Sequence, residues 1–166
     1  SDLRLSRKGP PDTNRLGSGQ ADLLLAFDLL VAASEQGLLV TTRRTAVVGS
    51  TSATPTGAMI THPDLALPPV ESLVERIGAA TRADAQHWAD ADAVTTALFG
   101  DAQTATLSVV GMALQAGCLP VAAASIERSI ALNGVAVEAN TAAFRWGRCR
   151  IYAPEALEAA TAKQLA

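Results

Sequence analysis

Aromatic side chains are scarce in this 166-residue chain, at 4%, so a single-stranded nucleic acid would find no platform for stacking its bases. Cations are not in excess either. Thirteen Lys and Arg against 16 Asp and Glu leave a net charge of −3, which argues against a protein that tracks a phosphate backbone. No apolar run reaches the ~20 residues that a membrane-spanning helix needs. Cysteine is nearly absent: Cys118 and Cys149 stand far apart, outside any CxxC pattern. Zinc and iron–sulfur sites need about four clustered ligands and have no basis here. Two thiols without a secretory leader read as reduced cysteines of a cytoplasmic protein, since the polar, basic stretch Ser1 to Pro11 does not have the form of a signal peptide.

What the chain does have is apolar residues, 49% of the total, enough for one domain with a proper core. Their spacing gives the elements. Ser1-Asp2-Leu3-Arg4-Leu5-Ser6 alternates polar and apolar, the period of a half-buried strand. The stretch from Arg7 to Gln20, rich in Gly and Pro with Asp and Asn, is a loop. Ala21 to Phe27 is almost unbroken apolar sequence, as in a strand covered on both faces. Asp28 is placed to cap a helix through Gln36, with Gly37 as its left-handed stop. Leu38–Thr42 and Thr45–Val48 read as two further strands separated by Arg43-Arg44, and the polar stretch Gly49–Gly57 leaves the second of them.

After the turn His62-Pro63-Asp64, Val70, Leu73, Val74 and Ile77 form the stripe of an amphipathic helix, which Gly78 is expected to end. A short strand is expected at Gln86–Ala89, then a helix capped by Asp90 or Asp92 and ended by Gly100. From Ala102 onward three helices are expected to pack as antiparallel neighbours: a buried one over Thr104–Ala116, one over Ala123–Leu132, and one over Val135–Trp146 stopped by Gly147. Strand–helix alternation followed by a helical C-terminal third predicts an α/β protein, a three-layer sandwich with a mainly parallel or mixed sheet.

Few segments offer chemistry. Gly17-Ser18-Gly19 precedes a strand instead of following one, the wrong order for a phosphate loop, and reads as a plain turn. Ser50, Thr51 and Ser52 are better placed, because ligands of α/β folds gather at the carboxyl ends of strands. Their hydroxyls and amides suit a phosphate or a partner's backbone, with Arg43 and Arg44 nearby in sequence; an ordinary surface loop is the plainer reading. No Walker lysine follows, so nucleotide hydrolysis is not indicated. Glu138, Asn140 and Arg145 punctuate an otherwise apolar helix, and Arg148 follows just after its end. Either they satisfy groups within the domain or they form an interface. Glu138 and Arg145 are two turns apart, about 10.5 Å, too far to pair unless the arginine reaches back. His62 and His87 share no ligand spacing, so no metal site is expected, and no G-x-S-x-G elbow points to a hydrolase.

Three segments resemble a known family. Ala21–Asp28 looks like its central strand and helix cap. Leu98-Phe99-Gly100-Asp101, with the helix and Leu119-Pro120 that follow, looks like its LxGD…G-x-L-P segment. Leu132-Asn133-Gly134-Val135-Ala136-Val137-Glu138-Ala139-Asn140, continuing through Phe144 and Gly147-Arg148, is similar to the L-N-G-x-A-V-E-x-N-x-x-A-F-x-x-G-R ending of gamma domains. These belong to indolepyruvate and related 2-oxoacid:ferredoxin oxidoreductases, in the wider pyruvate:ferredoxin/flavodoxin oxidoreductase family. The resemblance implies one domain over residues 1–148, lacking the family's glycine-rich G-G-x-G-Q-G opening, and a C-terminal tail over 149–166.

It further implies a cytoplasmic enzyme that decarboxylates an aryl pyruvate on thiamine diphosphate with magnesium. Electrons pass through iron–sulfur clusters to ferredoxin, and the acyl group goes to coenzyme A. In that family the thiamine and cluster ligands lie in other domains, so this chain would hold no catalytic residue and no metal. It would be structural or face the coenzyme A side, contacting sibling domains or subunits, with a homodimer as a further arrangement. The rival expectation is a free-standing α/β small-molecule-binding or adaptor domain.

Overall fold

A computed structural model of the protein describes residues 16–52 and 68–164. The strand expected over Ser1–Ser6, the loop up to residue 15, the His62-Pro63-Asp64 turn and the far end of the Gly49–Gly57 stretch lie outside the described residues.

Three short strands, β1 (Leu23–Ala26), β2 (Ala46–Ser50) and β3 (Gln86–Ala89), form an all-parallel sheet in the order β1-β2-β3. The register pairs Leu24 with Val47 and Ala26 with Gly49 on one side, and Val47 with Gln86 and Gly49 with Trp88 on the other. Successive strand residues face opposite ways, and the core divides accordingly. Ala26 and Val47, with Leu24 and Trp88 against them, pack with Leu29, Leu73 and Ile77. Val48, with Leu23, Leu25 and Ala89 against it, packs with Val109, Met112 and Ala113. Both faces of the sheet are therefore covered, which is why β1 and the start of β2 read as apolar runs, while β3 at the edge keeps Gln86 and His87.

Helices α1 (Leu29–Ala32) and α2 (Glu35–Leu39) follow β1. Asp28 caps the first through its carboxylate, as expected, accepting from Val31 N at 3.1 Å. The single helix expected through Gln36 is interrupted, because Ser34 caps a second one by accepting from Gly37 N at 3.0 Å. Gly37 thus lies inside α2 and is no stop; a Cβ there would sit 2.6 Å from the carbonyls of Val31 and Ala32. The strand expected over Leu38–Thr42 is the end of α2 and a turn, fixed where the Thr41 hydroxyl donates to Leu38 O at 2.8 Å. A short apolar run does not distinguish strand from helix, and the serine cap decides it.

Helix α3 (Val70–Ala80) buries Leu73 and Ile77 as the periodicity predicts, but it runs through Gly78 and ends near Thr81. Asp90 caps α4 (Ala91–Phe99), which closes on Gly100 in the left-handed region at φ 88°. Helices α5 (Ala105–Gln115) and α6 (Ala123–Asn133) match their expected spans and are followed by Gly117 and Gly134, also left-handed.

The last expected helix differs most. It is α7 (Val137–Tyr152), and Gly147 lies within it, fully buried. A Cβ on Gly147 would collide with the carbonyl oxygen of Ser108, and one on Gly111 with that of Phe144. These two glycines let α5 and α7 pack backbone to backbone, the principal helix contact of the domain. Helix α6 makes a smaller contact with α7, so the three helices do not share evenly in one antiparallel layer. The segment 149–166, expected as a tail, instead supplies the last turn of α7 and then α8 (Pro154–Gln164). That helix packs on α7 and α4 and buries Leu157. No helix among the described residues is long and apolar enough to cross a membrane.

Candidate functional site

The sequence directs attention to the carboxyl ends of the strands, where β2 delivers Ser50, Thr51 and Ser52. The structure places Ser50 as the last, buried residue of the strand, facing the N-terminus of α4. Its Oγ accepts from Ala91 N at 3.1 Å and lies 2.7 Å from Ser52 Oγ. Ser52 Oγ accepts from Asp92 N at 3.1 Å and donates to Asp90 Oδ1 at 2.7 Å, while that same oxygen accepts from Ala93 N at 2.9 Å. Two serines and an aspartate thus take up the first three amides of α4, the donors that an anion would otherwise meet. The arrangement fastens the end of β2 to the start of α4. Thr51 donates its backbone N–H to Ala89 O at 2.9 Å, and its side chain makes no hydrogen bond among the described residues.

Beside this latch lies a cavity of about 130 Å³ between Phe27, Ser50, Asp92 and Thr106. Sites for drug-sized ligands run to about 300–1,000 Å³, so this one has room only for a small group. Arg43 and Arg44 are exposed in the turn that enters β2, at the opposite end of the strand from Ser50. Their nearness to the serines in sequence does not carry into space. Gly17-Ser18-Gly19 is the expected turn, with Gly19 left-handed and the Ser18 hydroxyl donating to Leu39 O at 3.2 Å.

The helical residues fall into different settings. Arg145 does not reach Glu138. It makes a two-pronged pair with Glu127 of α6, Nε to Oε1 and Nη2 to Oε2, each at 2.9 Å. The hydrogen bond from Arg145 holds the Glu127 carboxyl below the usual carboxylate range, against an opposing push from burial and with the charges of Arg145 and Arg148 assisting. Arg148 donates Nε to Gln115 Oε1 at 3.1 Å and lies over the ring of Phe144, tying α7 to α5. Asn140 turns its Nδ2 back to Val135 O at 2.9 Å, holding the α6–α7 turn in which Ala136 is left-handed at φ 42°. Glu138 is exposed and makes no ion pair or hydrogen bond among the described residues.

Two apolar side chains near these residues are exposed, Leu132 at 76% and Val135 at 63%. Sequence reasoning does not find Glu127, because a pair across 18 positions and two helices has no periodic signature. Cys118 is half-buried and Cys149 buried, both as free thiols. Burial pushes the Cys118 thiol up, with Arg82 pulling weakly the other way. Among the described residues no group of three or more His, Cys, Asp or Glu is arranged to hold a metal ion.

Fold and site together define an α/β domain with a parallel sheet and a helical C-terminal third. No protein-family model matches the chain, and no curated protein or solved structure matches it either.

Proposed function

We propose that this chain is the gamma-type domain of a thiamine-dependent 2-oxoacid:ferredoxin oxidoreductase of the indolepyruvate type, folded as a three-layer α/β sandwich. In that role it is structural or faces coenzyme A, and the chemistry belongs to other domains. The observation that carries the reading is the segment Leu132–Arg148, whose residue pattern is similar to the ending of such domains. Its side chains support a docking role: Leu132 at the end of α6 and Val135 in the turn after it are exposed, and Glu138 nearby is exposed without a partner among the described residues. Buried charges need partners, whereas an exposed apolar patch rimmed by charge suits a protein contact.

On this reading the enzyme is cytoplasmic. Thiamine diphosphate, magnesium, the iron–sulfur clusters, coenzyme A and ferredoxin are engaged by the whole assembly, and Arg145 and Arg148 brace α7 behind the contact surface. The test is oxoacid-dependent dye reduction. The chain alone is expected to give none, while addition of the thiamine- and cluster-bearing partners restores turnover with indolepyruvate. Turnover by the isolated chain, or no stimulation by it, overturns the proposal.

A second reading, a free-standing binding domain, draws on the small cavity at Ser50. Calorimetry with coenzyme A separates the two, since tight binding to the isolated chain favours an autonomous module.

A further inference from the structure

A second cavity, of about 330 Å³, lies away from the strand ends and is not used by the function proposed above. Its wall includes three consecutive strand residues, Gln86, His87 and Trp88. Alternate side chains of a strand face opposite sides of the sheet, so a space touched by all three opens on the strand's edge. β3 is an edge strand in the order β1-β2-β3. The carbonyls of Ala85 and Ala89 are turned toward β2, accepting from Val47 N and Thr51 N at 2.9 Å each. By alternation the backbone groups of Gln86 and Trp88, carbonyls as well as N–H groups, point away from β2, and no strand among the described residues pairs with that edge.

The rest of the wall is of two kinds. Met112 and Ile151 make it apolar; Arg150, half-buried in the last turn of α7, makes it cationic. Arg150 has no ion pair with any described carboxylate, and no Asp or Glu among the described residues lines the space. A guanidinium, an imidazole and outward N–H groups offer donors, and the only charge provided for is negative. The volume falls in the range of sites for small organic molecules.

We infer that this cavity binds a small organic acid, its carboxylate held by Arg150 with His87 and the β3 edge, and its apolar body lying on Met112 and Ile151. The inference is independent of the oxidoreductase reading and survives if that reading fails.

Calorimetry on the full chain tests it with benzoate and 4-methylpentanoate as probes. The uncharged benzamide and inorganic phosphate serve as comparisons. Both acids are expected to bind saturably, with Kd below roughly 10 mM, and benzamide about tenfold more weakly, the ratio for one lost charge-assisted contact. Arg150→Gln is expected to weaken benzoate about tenfold, with the circular dichroism spectrum unchanged. Absence of saturable binding, or equal affinity for benzoate and benzamide on the unaltered chain, overturns the inference. So does phosphate binding more tightly than either acid, or equal binding by a folded Arg150→Gln variant.

Discussion

Replacing Gly147 with alanine would put a methyl group where the carbonyl of Ser108 already stands. The added carbon would overlap that oxygen and lie 2.7 Å from its carbonyl carbon and 2.9 Å from Ser108 Cα. All three are backbone atoms, so no side chain can swing away. To restore ordinary contact, α5 and α7 must move apart by on the order of 1 Å, a gap that forfeits about a quarter to a half of the dispersion attraction across it. The contact includes the fully buried Phe144, Met112 and Ala113. Alanine is the better helix former by about 1 kcal/mol, but overpacking of this kind costs about 1–3 kcal/mol and sometimes more. Because the obstruction is unyielding backbone, the upper end applies, leaving a net loss of about 2 kcal/mol.

For a chain of this length the loss corresponds to a fall in Tm of roughly 4–8 °C, read by far-UV circular dichroism. Gly78→Ala is the control. Its new methyl meets only the end of the Gln86 side chain, 3.1 Å away, which can yield. Its Tm is expected to hold or rise slightly. A Gly147→Ala protein as stable as its parent, or a Gly78→Ala protein that loses as much, would refute the close-contact account.

Other expectations follow from the same contacts. Ser52→Ala removes an acceptor for Asp92 N and a donor to Asp90, and is expected to cost about 0.5–2 kcal/mol in urea unfolding; an unchanged midpoint would show that water replaces the hydroxyl. Glu127 is expected to titrate below an ordinary glutamate by NMR. Its pair with Arg145 therefore adds stability that is present above the ordinary carboxyl pKa and lost as pH falls through the lowered one. Arg145 is exposed and Glu127 only partly buried, so the effect should be small and weaken with salt; Arg145→Gln should raise the titration back toward normal. Cys118 is expected to alkylate more slowly at neutral pH than a free thiol, because burial favours its protonated form. The associated stability is present below the ordinary thiol pKa and fades as pH rises through the raised one. Reaction as fast as that of free cysteine would contradict the assigned environment.

Much of this fold is written locally. The Ala21–Phe27 run, the stripe Val70–Ile77, the cap at Asp90 and the stops at Gly100, Gly117 and Gly134 each fall where short-range rules place them. The errors share a cause. Gly37, Gly78 and Gly147 are expected to end helices and instead lie inside them; at Gly37 and Gly147 the reason is that a glycine serves equally where other backbone comes close, whereas Gly78 faces only the Gln86 side chain. Only the partner reveals which role applies, and Ser108 is 39 positions from Gly147. The same distance effect hides the Glu127–Arg145 pair; the opposite placement of Arg43-Arg44 and Ser50 follows instead from the strand that separates them. At the candidate site the position of Ser50–Ser52 was legible from strand topology. Their engagement with the α4 amides was not, since it depends on Asp90 arriving from the far end of β3.

The division of β2 between two cores has a consequence for how this domain can vary. Val47 and Val48 are neighbours in sequence yet belong to separate interiors, so the strand has no idle side. Inserting or deleting one residue in it would exchange the occupants of both interiors at once and carry Ser50 away from α4. Length changes should be tolerated instead in exposed connections such as Asp101–Gln103, leaving β2 as the fixed ruler against which the rest of the chain is laid out.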